Sequence, residues 1–534
     1  MDADAVLRGG VLVDGTGGPP RPVDIAVAGG LVSVIAPPGS LTETPAVVEL
    51  DATGRAIAPG FIDAHAHSDL AMFLPDRWRD VTLAPLRQGV TTEVCGNCGE
   101  SPFPSTPLHR SAVDDYTLAG FQVGLGGFDS LDSYAEHLAG ADLPTNQAPL
   151  LGHGMLRGAA MGFDDRAPTD DELALMLRLA EEAFDQGAFG LSTGLIYPPG
   201  VYAHADEIAR IAGVAARFDA PYVSHMRDEA DRVDASIREA LQVGRLSGAG
   251  IQISHHKLAG RPNWGRSSQT LAMLDAARTG GQDVTVDVYP YTAGSTGLHS
   301  LLPPWVNAGG LAAMLERIAE PAVRARIDTD FVAGLPGWQN LAGPAGWENL
   351  VIAGSPSDTS LESRSVAEIA AGAGRSPVDV ICDIVAADRG HTVVVLHMMS
   401  DDDVQAIRHW DGAMLGSDGV PLPGRPHPRL AGTFTKALRA PAGTDAWAGL
   451  ADRVHRMTAM PAQRYRIPGG RGTVTVGSVA DLVVFDPVSV ADRATYSDPL
   501  LPPVGVDHVL VGGVHSVAKG QPTGRYAGRV LRAR

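Results

Sequence analysis

The stretch Ala58-Pro-Gly-Phe-Ile-Asp-Ala-His-Ala-His-Ser-Asp69 decides the reading of this chain. Pro59-Gly60 breaks whatever precedes it, and Phe61 to His65 then reads as a short apolar strand. Side chains two apart on a strand share a face. His65 and His67 therefore converge at the strand's end, as a metal site requires. An isolated His-x-His is more often a pair of ordinary histidines on a half-buried strand than a ligand pair, so the rest of the chain has to supply the other parts of a metal site.

Working outward, short apolar runs alternate with helical patterns, the signature of a parallel α/β domain. The strand candidates are 61–65, 92–95, 149–152, 188–191, 222–224, 251–254, 284–288, 393–396 and 414–416. Amphipathic helices are expected over 170–186, 205–217, 231–246 and 268–279. Nine candidates are one too many for an eight-stranded β/α barrel, and Val393–Leu396 is the one we set aside. Residues 293–350, rich in Gly, Pro and Trp, fit no barrel unit and read as an insertion or lid. Residues 1–57 and 466–534 read as short β-segments, neither set sufficient to close a sandwich alone. The expected architecture is a β/α barrel over 58–465, with one small β-sandwich built from both termini.

Composition narrows the function classes. The chain has 534 residues, 42 basic and 61 acidic, for a net charge of −19. An acidic surface argues against nucleic acid and anionic membranes as partners, though not against a small anionic substrate met by a local basic site. No run approaches the roughly 18 apolar residues of a membrane span. Residues 1–20 lack a basic-then-apolar leader, so a cytoplasmic enzyme is expected. Cys95, Cys98 and Cys382 are too few for a disulfide framework.

Catalytic groups of β/α barrels gather at the C-terminal ends of the strands. His65 and His67 end the first strand, and Cys98 follows the second in Gly96-Asn-Cys-Gly99. His225 ends the fifth, His255 the sixth in Ser254-His-His-Lys257, and Asp418 the last in Gly416-Ser-Asp-Gly419. Imidazole nitrogen and thiolate sulfur suit zinc. A redox dithiol at Cys95/Cys98 is the rival, but the chain shows no thioredoxin-like unit around it. His255 is preferred to its neighbour His256, because strand alternation then carries Lys257 into the same site. Tyr197, Tyr289 and Tyr291 lie just past strand ends, as wall packing or substrate hydrogen bonders. Arg429, eleven residues after Asp418, is either a loop charge or a clamp for a carboxylate, which its planar guanidinium matches.

These motifs resemble the amidohydrolase superfamily and, within it, the D-aminoacylases. The resemblance runs over nearly the whole chain. It is carried by Pro59-Gly-Phe-Ile-Asp-x-His-x-His67, Gly96-Asn-Cys-Gly99, Gly194-Leu-Ile-Tyr-Pro-Pro-Gly200, Ile253-Ser-His-His-Lys257, Asp287-Val-Tyr-Pro-Tyr291, Arg425-Pro-His-Pro-Arg-Leu430 and the C-terminal Ala480-Asp-Leu-Val-Val-Phe485. It implies a metal-dependent hydrolase of N-acyl-D-amino acids. Cys98, His225 and His255 would hold a tight zinc. His65 and His67, with Cys98 as bridge, would form a second, weaker site. Asp418 would be the acid/base, Lys257, Tyr289 and Arg429 would bind the substrate carboxylate, and Tyr197 would line the pocket. Cys95 departs from the aliphatic residue more usual there. Relatives such as hydantoinases bridge two metals with a carboxylated lysine on the fourth strand. This chain has three lysines, Lys257, Lys436 and Lys519, and none over 160–220, so a sulfur bridge is what remains. The alternatives are another amide (a D-dipeptide, a cyclic amide, a specialised metabolite) or a non-catalytic scaffold.

Overall fold

The computed structural model describes residues 3–69, 79–121, 127–422 and 424–533. Phe61–Asp63 is a short strand with every residue buried. It opens a run of parallel strands buried on both faces, with polar side chains such as Glu93, Asn146, Gln147 and Gln252 enclosed among the apolar ones. The others are Val90–Cys95, a third strand in two pieces (Asn146–Pro149 and Leu151–Gly152), Leu191–Gly194, Tyr222–His225, Ile251–Ile253, Val284–Val288 and Ala413–Leu415. All pair in parallel, in the order of the chain. Backbone bonds close the ring. Ala64 N donates to Leu415 O at 3.2 Å, Asp418 N to His65 O at 2.8 Å, and Leu150 N to Cys95 O at 2.8 Å across the break in the third strand. The result is an eight-stranded β/α barrel. Helices Asp170–Asp185, Ala205–Arg217, Val233–Ser247 and Ser267–Thr279 lie where the periodicity placed them.

Val393–His397 is not a barrel strand. It pairs antiparallel with Ala293–Gly297 on one side and Leu350–Gly354 on the other. A four-residue apolar run looks the same in either setting, and only pairing tells them apart. The element that interrupts the barrel after the seventh strand therefore continues well past residue 350. It includes helices Leu311–Ala319, Pro321–Ala333, Val366–Ala373 and Pro377–Ala387, and a core of its own around Met314, Ile318, Ile352, Ile381 and Leu396.

Strands from both ends of the chain form one nine-stranded sheet. Its spine is Gln521–Pro522, Val514–Ala518, Val506–Val511, Leu482–Phe485, Ala56–Pro59, Ala3–Leu12, Arg21–Ala28 and Leu31–Ala36, and Ala46–Asp51 also pairs with Ala3–Leu12. The far edge curls back, so that Val32 N donates to Ser478 O and Ala480 N to Gly30 O. One face encloses Leu7, Ile25, Val27, Leu482, Val484 and Leu510. The other face meets the barrel through Phe61, Leu86, Phe434, Val483 and Phe485. Leu482–Phe485 pairs antiparallel with Ala56–Pro59, so the two termini are joined at the centre of the sheet. The C-terminal tail goes further: Gln147 N donates to Arg529 O, and Leu531 N to Gln147 O, tying the tail to the third barrel strand. Among the described residues no helix is long and apolar enough to cross a membrane.

Candidate metal centre

The ends of five strands deliver their side chains to one point at the barrel mouth. The Cys98 Sγ lies 3.5 Å from His65 Nε2, 3.5 Å from His225 Nδ1 and 3.7 Å from His255 Nε2. His255 Nε2 and His225 Nδ1 are 3.0 Å apart. Around a tetrahedral zinc, ordinary bond lengths put a nitrogen and a sulfur ligand roughly 3.6 Å apart and two nitrogens roughly 3.3 Å apart. The spacing of these donors is therefore that of ligands facing a common centre. Two groups of mutually close donor atoms overlap here, one of His65, Cys98, His255 and Asp418, the other of His225, Glu229 and His255.

The charge states fit a cation as well. Burial drives His225 and His255 well below the usual imidazole range, leaving them neutral as ligands must be. Burial, joined by the Asp418 and Glu100 carboxylates, pushes the Cys98 thiol well up. A thiol so placed becomes a thiolate only beside a positive charge, which a metal supplies. Burial opposes protonation of His65 too, but Asp287 and Asp418 outweigh it and raise that group.

Local backbone strain marks the same residues. Cys98, His255 and Asp418 all adopt left-handed φ values, of 56°, 34° and 51°. Non-glycine residues accept that region only where the surroundings impose it, and such positions cluster at functional sites. Gly194 is part of that imposition, because a β-carbon there would run into the Cys98 carbonyl oxygen.

A second layer of carboxylates orients the ligands. Glu229 Oε1 sits 3.0 Å from His255 Nδ1 and Oε2 3.5 Å from His225 Nε2. Asp287 Oδ1 is 3.3 Å from His65 Nδ1 and accepts from the His255 backbone N–H at 2.7 Å. Such partners fix ring orientation and raise ligand basicity. The sequence reading did not single out Glu229. Asp287 lay in a quoted motif but without a role. Each stands within a few residues of a strand-end histidine or tyrosine, but that spacing does not set them apart from the chain's other acidic residues.

Asp418 Oδ1 is 3.5 Å from His65 Nε2 and 3.3 Å from His67 Nε2, while its Oδ2 is 2.8 Å from Arg429 Nη1. Burial would raise this carboxyl, but Arg429 and His255 hold it well below the usual range. Lys257, Tyr289 and Arg429 line one cavity together, next to Tyr197. The Arg429 guanidinium lies 4.8 Å from the centre of the Tyr289 ring. The Lys257 ammonium donates to Glu229 at 2.7 Å, so it serves the ligand shell as well as the cavity. Tyr197 sets its ring edge-on to His225 at 5.1 Å and its hydroxyl 3.1 Å from Thr296 Oγ1. His256 turns away to Thr270 at 3.0 Å, and the Cys95 thiol, fully buried, faces the Glu93 carbonyl.

A β/α barrel with this donor set at its C-terminal mouth is the framework of a metal-dependent hydrolase. The chain belongs to the amidohydrolase family, which it matches over residues 48–517. It is 36% identical over 528 residues to a D-aminoacylase of Alcaligenes xylosoxydans xylosoxydans, covering 99% of this chain and 97% of that one. It is similar along its whole length to the N-acyl-D-glutamate deacylase of Bordetella bronchiseptica, solved with zinc and a phosphonate mimic of the tetrahedral intermediate (TM-score 0.81, 35% identity, 100% of both chains). A crystal structure of a D-aminoacylase superposes equally well, with a TM-score of 0.81, 34% identity, and 99% of this chain and 100% of that one covered.

Proposed function

We propose that this protein is a zinc-dependent hydrolase of N-acyl-D-amino acids, releasing a carboxylate and a free D-amino acid. The observation that carries the proposal is the Cys98 thiol at ligand spacing from three imidazoles, with Asp418 beside them. The relatives named above, which deacylate N-acyl-D-amino acids, support the substrate class. Cys98, His225 and His255 would hold the tight ion. His65 and His67, sharing Cys98, would hold a second, weaker one. When bound, zinc lowers the pKa of water toward about 7 and polarises the amide carbonyl.

The chain's own residues do the remainder. Asp418, ionised at neutral pH, accepts the proton of the attacking water and passes it to the departing amine. Arg429 holds Asp418 at one oxygen and leaves the other toward the histidines. Lys257, Arg429 and Tyr289 fix the substrate carboxylate in their shared cavity, so that the amide is presented in one orientation. Tyr197 lines the pocket over His225.

The test pairs metal analysis with amine release from N-acetyl-D-methionine and its L counterpart. We expect bound zinc and release from the D compound. Bound zinc with no release from any N-acyl-D-amino acid would point to another amide, and a protein without zinc would point to a binding scaffold.

A further inference from the structure

Between the last two barrel strands and the helices Asp401–Arg408, Arg429–Leu438 and Leu450–Arg456 lies a cavity of about 490 Å³. It shares no lining residue with the cavity of Lys257, Tyr289 and Arg429. Its volume falls in the roughly 300–1,000 Å³ range of small-ligand sites. Part of its lining is apolar, at Val288, Leu415 and Met457. The rest gathers Arg408, Lys436, Arg439, Arg453 and Arg456 against a single carboxylate, Asp452. In a chain with 42 basic and 61 acidic residues, that balance is the reverse of the average. A second cavity, of about 310 Å³, shows no such excess: Arg464 and Arg466 pair with Asp283 and Asp219 in its lining.

Ordinary structural duties account for only part of this charge. Arg453 donates to the Leu438, Ala446 and Ala448 carbonyls. Arg456 donates to the Trp410 and Ala413 carbonyls and to Asp452. Those bonds fix two guanidinium groups and neutralise one. Arg408, Lys436 and Arg456 stand in the last turns of their helices, where each macrodipole offers roughly half a negative charge. The dipoles and Asp452 together offset about half of the five positive charges. Arg408, Lys436 and Arg439 have neither a backbone carbonyl nor a carboxylate as side-chain partner among the described residues. Arg408 donates to the Gln405 side chain, Lys436 rests 4.0 Å from the centre of the Tyr291 ring, and Arg439 is exposed. Burial holds Arg408 and Lys436 below their usual ranges. Asp401 and Asp492 oppose this from beyond ion-pair distance, and the neighbouring cations add to it.

We propose that this cavity binds an organic phosphate, its phosphoryl group met by Arg408, Lys436 and Arg439 and its organic body laid against Val288, Leu415 and Met457. A phosphoryl group brings about −1.5 to −2 charges and three acceptor oxygens. That matches the uncompensated half of the cavity's charge and the three cations left to donate. Arg408 comes from one helix and Lys436 and Arg439 from the end of another, so the cations meet a tetrahedral group from separate directions. The two oxygens of a carboxylate, lying in one plane, use fewer of them. The site stands independently of the deacylase reading, although helix Arg429–Leu438 touches both places, with Arg429 at its first residue and Lys436 in its last turn.

Phenyl phosphate and benzoate share one apolar ring and differ in the charged group. Titrated calorimetrically into the zinc-loaded protein, phenyl phosphate should bind about tenfold tighter than benzoate or better. Arg408→Gln and Arg439→Gln, which leave the shared helix's Lys436 and Arg429 in place, should each weaken phenyl phosphate by about tenfold or more, with zinc content unchanged. Arg439 is exposed, so its variant decides even if loss of Arg408 disturbs the fold. Absence of phenyl phosphate binding overturns the proposal, and so does equal affinity for benzoate. Affinity that survives in the folded variants overturns it as well, since the anion would then be sitting at the metal centre.

Discussion

The Asp418 carboxylate answers to three partners at once: His65 and His67 on one oxygen, Arg429 on the other. Its depressed pKa makes it a base throughout the neutral range, and an amide in its place would keep the shape but not the proton acceptor. Asp418→Asn should therefore retain zinc and lose turnover by at least about 100-fold, the usual worth of a positioned acid/base. Metal content and kcat measured on the same preparation check this, and retained activity would remove Asp418 from the chemistry. At this scale the sequence was informative wherever a rare residue type ended a strand. Histidine and cysteine stand out, and His65, His67, Cys98, His225 and His255 fall together in space as strand-end logic requires. Glu229 and Asp287 were not legible in that way. They are two of 61 acidic residues, and what marks them is depth, which spacing does not record. Strand alternation likewise brought Lys257 to the site without showing that Glu229 would share its ammonium.

The elements around the site are tied by buried ion pairs of their own. Helix His153–Met161 follows the third barrel strand and reaches across to the first turn of helix Ala205–Arg217. Arg157 Nη1 and His153 Nε2 contact Glu207 at 2.6 Å and 2.9 Å. Burial would raise the Glu207 carboxyl, but His153 and Arg157 outweigh it and bring it down to about 2, from an ordinary 4.5. A folded-state pKa below the unfolded value stabilises the protein at higher pH, so this contribution is complete above about 4.5 and disappears as pH falls toward 2. Its size is about 3 kcal/mol. Glu207→Gln should cost that much at pH 7 in denaturant unfolding, with the gap to wild type narrowing through the acid range. A gap that stayed constant with pH would show that the pair does not carry the effect. Element identity was mostly readable from periodicity, and the principal helices begin and end within two residues of expectation. The break at Leu150 and the antiparallel pairing of Val393–His397 were not readable, because each depends on which backbone lies alongside rather than on the run itself.

Over the whole molecule, the ends of the chain act as a fastening. Strands from residues 3–59 and 482–522 complete one sheet, and residues 529–531 continue onto the third barrel strand. That both ends were β-rich and individually too small was visible in the sequence, and their joining follows because neither could cover its own apolar face. The reach of the tail onto the barrel was not visible, since Gly528-Arg-Val-Leu531 carries no distinctive pattern. Removing residues 527–534 would strip Gln147 of two backbone partners and expose the face that Leu531, 4% exposed, now covers. Each unsatisfied buried group costs about 1–3 kcal/mol, and the leucine contributes about 1.5–3 kcal/mol more. The truncated protein should melt several degrees lower, with amide exchange quickening first along Asn146–Pro149. An unchanged melting temperature would mean the tail only rests on the surface.

The pairing of Ala56–Pro59 with Leu482–Phe485 also sets a timetable. At about 5–20 residues per second, a ribosome releases the second strand tens of seconds to more than a minute after the first. Throughout that interval the nascent chain carries an apolar ribbon with one side bare, the kind of edge that recruits strangers. Production of this protein in a foreign host should therefore be governed less by the finished fold than by whatever shelters its opening residues while the rest is still being made.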